Sequence, residues 1–309
     1  MYYYKLYGKN VISEYELYQC VAIKPIKKEE ADIIISNEQL PQEILDSLPK
    51  NSHLASKIDR KFSYFTNSWG YFGIRDGKYI TAYKRENASE ENLHPFILGY
   101  CIAFLFWQNN MHSIHCSCVR INGKALLISG VSGSGKSTLT TRILDTTNAS
   151  LISDDVVVVN IEDDKLMAYP AFPQQKLCRD AVKRNGLEEA DLRYIDETKD
   201  KFALSREEGF STEPAQCLGM IVLDHSDKQD KVSFEAIKGN DKVSAIYTNW
   251  FLFPAMRELK IDILDFQRCL RIASKLDILH MTRPENVDST KEQLEIVKNF
   301  FNIDLESKN

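Results

Sequence analysis

The segment from Gly130 to Ser137, Gly-Val-Ser-Gly-Ser-Gly-Lys-Ser, satisfies the pattern G-x-x-x-x-G-K-[ST] in full. An apolar run, Ala125-Leu-Leu-Ile128, leads into it and a helix-compatible run leads out, the context that the bare pattern requires. Three glycines let the backbone curl so that successive N–H groups point into one concavity, backed by the positive end of a helix. That chemistry suits the phosphates of a nucleoside triphosphate. The binding segment comprises Gly130, Val131, Ser132, Gly133, Ser134, Gly135, Lys136, Ser137 and Thr138. Within it, Lys136 would reach the β- and γ-phosphates and the Ser137 hydroxyl would ligate Mg²⁺.

A phosphate loop does not say what attacks the γ-phosphate. Leu151-Ile-Ser-Asp-Asp-Val-Val-Val-Val159 ends one apolar strand in two carboxylates, Asp154 and Asp155, and begins another. Beside a phosphate loop such a pair can divide two tasks. One carboxylate holds the Mg²⁺ shell and the other accepts a proton from an attacking hydroxyl; residue type alone leaves open which does which. Just before the loop strand, Met111-His-Ser-Ile-His-Cys-Ser-Cys118 invites a zinc reading. Strand alternation, however, puts Cys116 and Cys118 on one face and His115 on the other, with no second ligand pair downstream. The segment reads as a plain strand or as one that brings His115 to the site. Asp224 ends another apolar strand, Leu218 to Leu223, and reads more readily as a solvated strand end than as a metal-side acid.

These groups must be positioned by a chain of 309 residues, long enough for about two domains. Hydrophobic residues make up 43 % and charged residues 27 %, as in ordinary globular proteins. The net charge of −5 offers no general basic field for nucleic acid or an anionic membrane. Seven scattered cysteines without a Cys-x-x-Cys pair fit reduced thiols better than a disulfide framework, and the first residues lack the basic and apolar regions of an export signal. A cytoplasmic location is therefore expected. The most apolar stretch, Phe96 to Trp107, is too short for the ~20 residues that cross a bilayer, so it reads as a buried helix and not as a membrane span.

From Tyr2 to about Tyr83 the pattern is of short strands, including a hairpin in which Asp76-Gly77 joins the runs 71–74 and 79–83. A polar stretch, Lys84 to Asn92, marks the expected boundary. It separates a mainly-β domain over residues 1–88, with a peptide-presenting role as one reading, from an α/β domain over residues 89–309. In the second part the periodicity predicts the buried helix, a strand pair around Gly123, helices over 258–274 and 288–301, and a buried strand at 276–281 between them.

Together, His115, the loop Gly130–Ser137 and the pair Asp154–Asp155 resemble the active site of the HPr kinase/phosphorylase family. The resemblance implies a P-loop-containing α/β domain with a central mixed sheet and flanking helices, preceded by a small mainly-β domain. It implies that Asp155 accepts the proton of a serine hydroxyl while Asp154 supports the metal and its water shell. The family's Glu-Ile-Arg-Gly signature, with its Mg²⁺-binding glutamate, is absent, and the segment Tyr169 to Ala181 stands in its place. That argues against HPr as substrate and against the reverse phosphorylase activity. The chain as a whole is more similar to a divergent branch, the HPr-kinase-like proteins encoded in peptide natural-product clusters. Residues 93–107 look like their buried helix, 169–181 like their Pro-rich turn and helix, and 281–284 like their C-terminal turn.

Some of that branch phosphorylate a serine at the C-terminal end of a lasso-peptide precursor. The resemblance thus implies an ATP- and Mg²⁺-dependent serine kinase of lasso-peptide biosynthesis, with a precursor peptide as partner. In such enzymes extra cations balance the charge of the transferring phosphoryl group. Lys176, Arg179, Lys201 and Arg206 are candidates, with Lys176 and Lys201 foremost. HPr kinase proper, a bare ATPase and a non-catalytic nucleotide-binding regulator are the alternatives, and association of the chain with itself stays open.

Overall fold

In the computed structural model, residues 1–48, 55–184, 186–196, 200–256, 262–285 and 287–305 are described. The chain divides into two compact units, Met1–Ser113 with Phe251–Lys260, and Ile114–Trp250 with Ile261–Asn309.

Tyrosine and β-branched residues shape the first unit into a sheet. Its strands follow the order Val21–Ala22, Tyr2–Leu6, Lys9–Ser13, Ile33–Ser36, Tyr79–Lys84, Gly70–Arg75, Phe62–Thr66 and Ala55–Lys57. Ile33–Ser36 is parallel to both its neighbours; the other pairs are antiparallel. The expected hairpin is present: Ile74 faces Ile80, and Asp76 and Gly77 both take the positive φ that such turns require.

The apolar helix is also present, as His94–Phe96 and Ile102–Gln108 joined through a π-helical turn at Ile97–Cys101. Being apolar nearly all round, it is buried from Ile97 to Trp107 apart from the half-buried Tyr100. Phe104 packs on Phe65 with ring centroids 6.2 Å apart, Phe96 on Phe72 at 5.7 Å, and Phe106 edge-on to Tyr7 at 5.3 Å. Those contacts tie the helix to the N-terminal sheet. The first unit therefore extends to Ser113, past the polar stretch at 84–92 that the sequence marks as a boundary.

The second unit is a mixed sheet covered on both faces. Ser150–Ser153, Cys116–Ile121, Lys124–Gly130 and the long strand Ala215–Ser226 lie side by side in that order. The long strand serves two neighbours in succession. Its beginning pairs with Lys165–Tyr169, which in turn pairs with Val157–Glu162, and its remainder runs parallel to Asp277–Pro284. Ser233–Ile237 pairs with Asp277–Pro284 in turn. Because both faces are covered, Ala125-Leu-Leu-Ile128 reads as a continuous apolar run. Ala125 and Leu127 enter one core with Ile246, Cys269 and Ile272, while Leu126 and Ile128 enter the other with Leu139, Ile143 and Val297.

Helices Asn240–Thr248 and Ile263–Ala273 supply the first of those cores, and Lys136–Thr146 and Thr290–Phe301 the second. The helix predicted from 258 begins at Ile263 behind an Asp262 cap; residues 258–261 lie outside those described. Two expectations are corrected. Residues 169–181 are not a turn and helix alone: Gln174–Cys178 is a strand, followed by the helix Arg179–Arg184. Residues 281–284 are not a turn but the end of the strand Asp277–Pro284. No helix among the described residues is long and apolar enough to cross a membrane.

Replacing Phe104 with Ala removes a buried ring from the contact between the apolar helix and the N-terminal sheet. It should cost about 3–5 kcal/mol in chemical denaturation followed by circular dichroism. A cost below about 1 kcal/mol would show that the ring is not packed in this way.

Candidate active site

The strand Lys124–Gly130 delivers the chain to the glycine loop, and the helix Lys136–Thr146 takes it away. Gly130 has φ 140°, and a Cβ there would lie 2.1 Å from the carbonyl oxygen of Leu223 on the neighbouring strand. No side chain fits that approach. Gly135 caps the helix at φ 102°, also in the left-handed region. Lys136 folds back across the loop, its Nζ donating to the carbonyl oxygens of Gly130 at 2.7 Å and Val131 at 3.1 Å. Burial lowers its pKa, with the charge of Lys201 adding to the effect.

The loop is held from outside by Arg283, at the end of the strand Asp277–Pro284. Its Nε donates to the Ser134 carbonyl and its Nη2 to the Gly133 carbonyl, both at 2.8 Å. Those two loop carbonyls are thereby fixed on a single guanidinium.

The two aspartates sit where the chain breaks between Ser150–Ser153 and Val157–Glu162. Asp155 takes φ 75°, and Val156 N donates to the Asp154 carbonyl at 3.0 Å, closing a tight turn. Aspartate tolerates the left-handed region better than most residues, and such strain gathers at functional sites. The turn sends the two side chains to different partners. Asp154 is 7 % exposed; its Oδ1 accepts from Ser117 Oγ at 2.5 Å and its Oδ2 from the main-chain N–H of Lys176 at 2.7 Å. Burial pushes its pKa up despite both bonds. Asp155, with its side chain 20 % exposed, accepts from Lys176 Nζ at 2.7 Å and lies 3.8 Å from His115 Nδ1. Burial alone would raise the pKa of Asp155. The charges of Lys176, His115 and Lys201 outweigh it and hold the carboxyl well below the usual range.

Lys176 and Lys201 come from a small antiparallel sheet, Gln174–Cys178, Lys201–Ser205 and Arg193–Asp196, that sequence periodicity does not reveal. Lys201 pairs with Cys178, two residues from Lys176, so both lysines occupy one face. The other face carries Leu177 and Phe202 into a local core with Ala181 and Val182. Lys176 also touches the loop helix, because its carbonyl lies 3.3 Å from Ser137 Oγ. Beside it, Gln175 donates to the Ser137 carbonyl at 3.3 Å and to Thr141 Oγ1 at 2.9 Å.

The structure thus brings Lys136, Ser137, Asp154, Asp155, His115, Lys176 and Lys201 together. Arg179 and Arg206 stand apart from the carboxylates. Arg179 is engaged by Asp200 and Glu189 over the Phe202 ring, and Arg206 by Gln175 and Asp145. Asp224 is not the strand end expected from the sequence: it lies half-exposed within Ala215–Ser226, paired with Thr282, and accepts from the next residue's N–H. Cys116 and Cys118 are buried in the core, where burial pushes both thiols up in pKa, so they pack as apolar groups. His115 is oriented through its backbone. Its N–H donates to the Asn249 carbonyl at 2.8 Å, and Ser129 Oγ lies 2.8 Å from its carbonyl oxygen and 2.5 Å from Asn249 Oδ1. Burial depresses the His115 pKa, against the pull of Asp155.

For Mg²⁺ the fit is one-sided. Ser137 Oγ, held only by a long bond, suits an ion that arrives on a nucleotide. Asp154, expected as the metal-side carboxylate, has one protein donor on each oxygen. Ser117, Gln175, Asn249 and Arg283 hold the site together, yet no spacing in the sequence marks them.

No family model matches the chain, and no curated protein matches it. Among solved structures, it is similar to the HPr(Ser) kinase/phosphatase from Coxiella burnetii. The match has 13 % identity and a TM-score of 0.32, over 61 % of this chain and 89 % of that one. The architecture of the second unit is a mixed α/β sheet around a strand, glycine loop and helix.

Arg283→Ala frees two loop carbonyls from a charge-assisted donor worth about 1.5–3 kcal/mol. Nucleoside triphosphate affinity, measured calorimetrically, should fall roughly tenfold or more while thermal unfolding changes little. Arg283→Lys should restore part of it, since one ammonium cannot reproduce the planar fork. Undiminished affinity in the alanine variant would show that Arg283 does not shape the loop.

Proposed function

We propose that this protein is an ATP-dependent kinase that transfers the γ-phosphoryl group to a serine hydroxyl of a peptide. A lasso-peptide-type precursor, modified near its C-terminus, is the substrate favoured by the sequence resemblance. The observation that carries the kinase reading is Asp155. It is an ionised carboxylate, held at a strained turn, with Lys176 on one oxygen and His115 near the other, in the same site as the phosphate loop. A protein that only senses nucleotide has no use for a proton acceptor so placed.

In the reaction the serine Oγ attacks the γ-phosphorus, the bond to the β–γ bridging oxygen breaks, and ADP leaves. The hydroxyl proton passes to an Asp155 carboxylate oxygen. A carboxylate with so low a pKa is a weak base, so the transfer comes late, when the forming P–O bond has already acidified the hydroxyl. Lys136 turns from the Gly130 and Val131 carbonyls to the phosphates, and Lys176 and Lys201 offset charge on the transferring group. Mg²⁺ arriving with the nucleotide would be held from the protein side by Ser137 and would supply further neutralisation of phosphate charge. Asp154 orients the site, since it binds the main chain of Lys176 and fixes the strand that carries it. The seven cysteines are free thiols, in keeping with work in a reducing cytosol.

Incubation with MgATP and a panel of serine-ended peptides, read by mass spectrometry, tests the reading. Phosphate on a peptide serine supports it; phosphate on HPr, or free phosphate alone, replaces it with an HPr kinase or an ATPase. Asp155→Asn keeps size and backbone preference but not basicity, so transfer should fall by roughly 10² to 10⁴ with nucleotide binding retained. Near-full transfer in that variant would exclude Asp155 as the acceptor.

A further inference from the structure

Two adjacent carboxylates beside a phosphate loop ordinarily hold a metal ion between protein and phosphates. We propose that in this protein the Lys176 ammonium occupies that place. The carboxylate pair then carries a built-in cation, and the one divalent ion of the reaction is the ion that a nucleotide brings to Ser137. This inference rests on the kinase reading for its use in catalysis, though its test does not.

Three observations support it. The first is the donor set. Mg²⁺ demands an octahedron of oxygens at about 2.0–2.1 Å. Asp154 is nearly buried and gives Oδ1 to Ser117 and Oδ2 to the main chain of Lys176. Asp155 gives Oδ2 to the Lys176 ammonium at 2.7 Å and turns Oδ1 toward His115. Among the described residues, no group of three or more His, Cys, Asp or Glu side chains is arranged to hold a metal.

The second observation is that Lys176 is fixed. It stands in the middle of the strand Gln174–Cys178, pairs with Ala203, and lies between the buried Gln175 and Leu177. Its N–H is bound to one carboxylate, its carbonyl faces Ser137, and its ammonium is bound to the other carboxylate. An ordinary surface lysine has no such anchorage. The third is charge. Lys201 shares its face and acts on Asp155, and Lys136 acts on both carboxylates, so ammonium groups offset the pair. A site so balanced gives a free divalent ion little attraction until phosphates arrive.

The test titrates nucleotide-free protein with Mn²⁺ and reads the unbound ion by electron paramagnetic resonance. Wild type should take up no stoichiometric Mn²⁺. Lys176→Met should gain one Mn²⁺ per chain, bound at least about tenfold more tightly than by wild type, and adding Asp155→Asn should abolish it. Lys176→Gln carries the same test if the methionine variant does not fold, and Lys176→Arg should bind none. Stoichiometric Mn²⁺ in nucleotide-free wild type, or no gain in either neutral variant, would overturn the proposal. With ATP added, wild type should hold one Mn²⁺ per nucleotide, and two would overturn it. Failure to bind ATP at all would defeat the kinase reading alone, with the nucleotide-free titration still deciding the place of Lys176.

Discussion

The site depends on the way one residue, Lys176, is tied at three points. Its N–H holds Asp154, its ammonium holds Asp155, and its carbonyl meets the first turn of the loop helix at Ser137. Two adjacent carboxylates, one buried and one partly buried, would repel one another and lose solvation together. The lysine offsets both costs and also fixes the distance between the acidic turn and the glycine loop. It can do so because it is carried by a strand and not by a flexible loop. That strand is in turn secured by Gln175 on the helix and by the small core around Leu177 and Phe202.

The two carboxylates consequently have unlike environments although they are neighbours in sequence. Asp154 is enclosed, doubly bonded and raised in pKa; Asp155 is partly exposed beside Lys176 and is lowered. Divergent pKa values in a pair commonly mark divergent roles. Here the separation follows from a single tight turn, with Asp155 at positive φ, inserted between two otherwise regular strands. A regular strand would have placed the side chains on opposite faces of the sheet, and only one of them could have shared a cleft with the lysine.

Much of this was legible in the sequence wherever the signal is local. The glycine loop, the acidic pair, the Asp76-Gly77 hairpin and the all-apolar helix each declare themselves within a dozen residues, through spacing or periodicity. What could not be read is set by pairing between distant segments. The strand Gln174–Cys178 hides behind a Pro-rich turn, and its partner begins at Lys201, so neither propensity nor period announces it. Ser117 and Asn249 are ordinary polar residues until the sheet carries one to Asp154 and the end of the helix Asn240–Thr248 carries the other to His115. The boundary at 84–92 misled for a physical reason. A polar stretch can end a sheet without ending a unit when the helix beyond it packs back on that sheet. The protein partners of Asp154 were hidden likewise, because residue type does not tell which distant donor a carboxylate will meet.

Arg283 has a consequence for how the molecule comes into being. It grips Ser134 and Gly133 from a position about 150 residues further along the chain. The strand that presents it joins the sheet only beside Ala215–Ser226, which itself must first lie against Lys124–Gly130. Contacts of such long sequence separation form late. On the ribosome, the glycine loop therefore emerges long before the guanidinium that gives it its working shape, and a nascent chain that ends short of Arg283 carries the motif without its clamp. The loop is clamped only once the strand that carries Arg283 has been made and has joined the sheet.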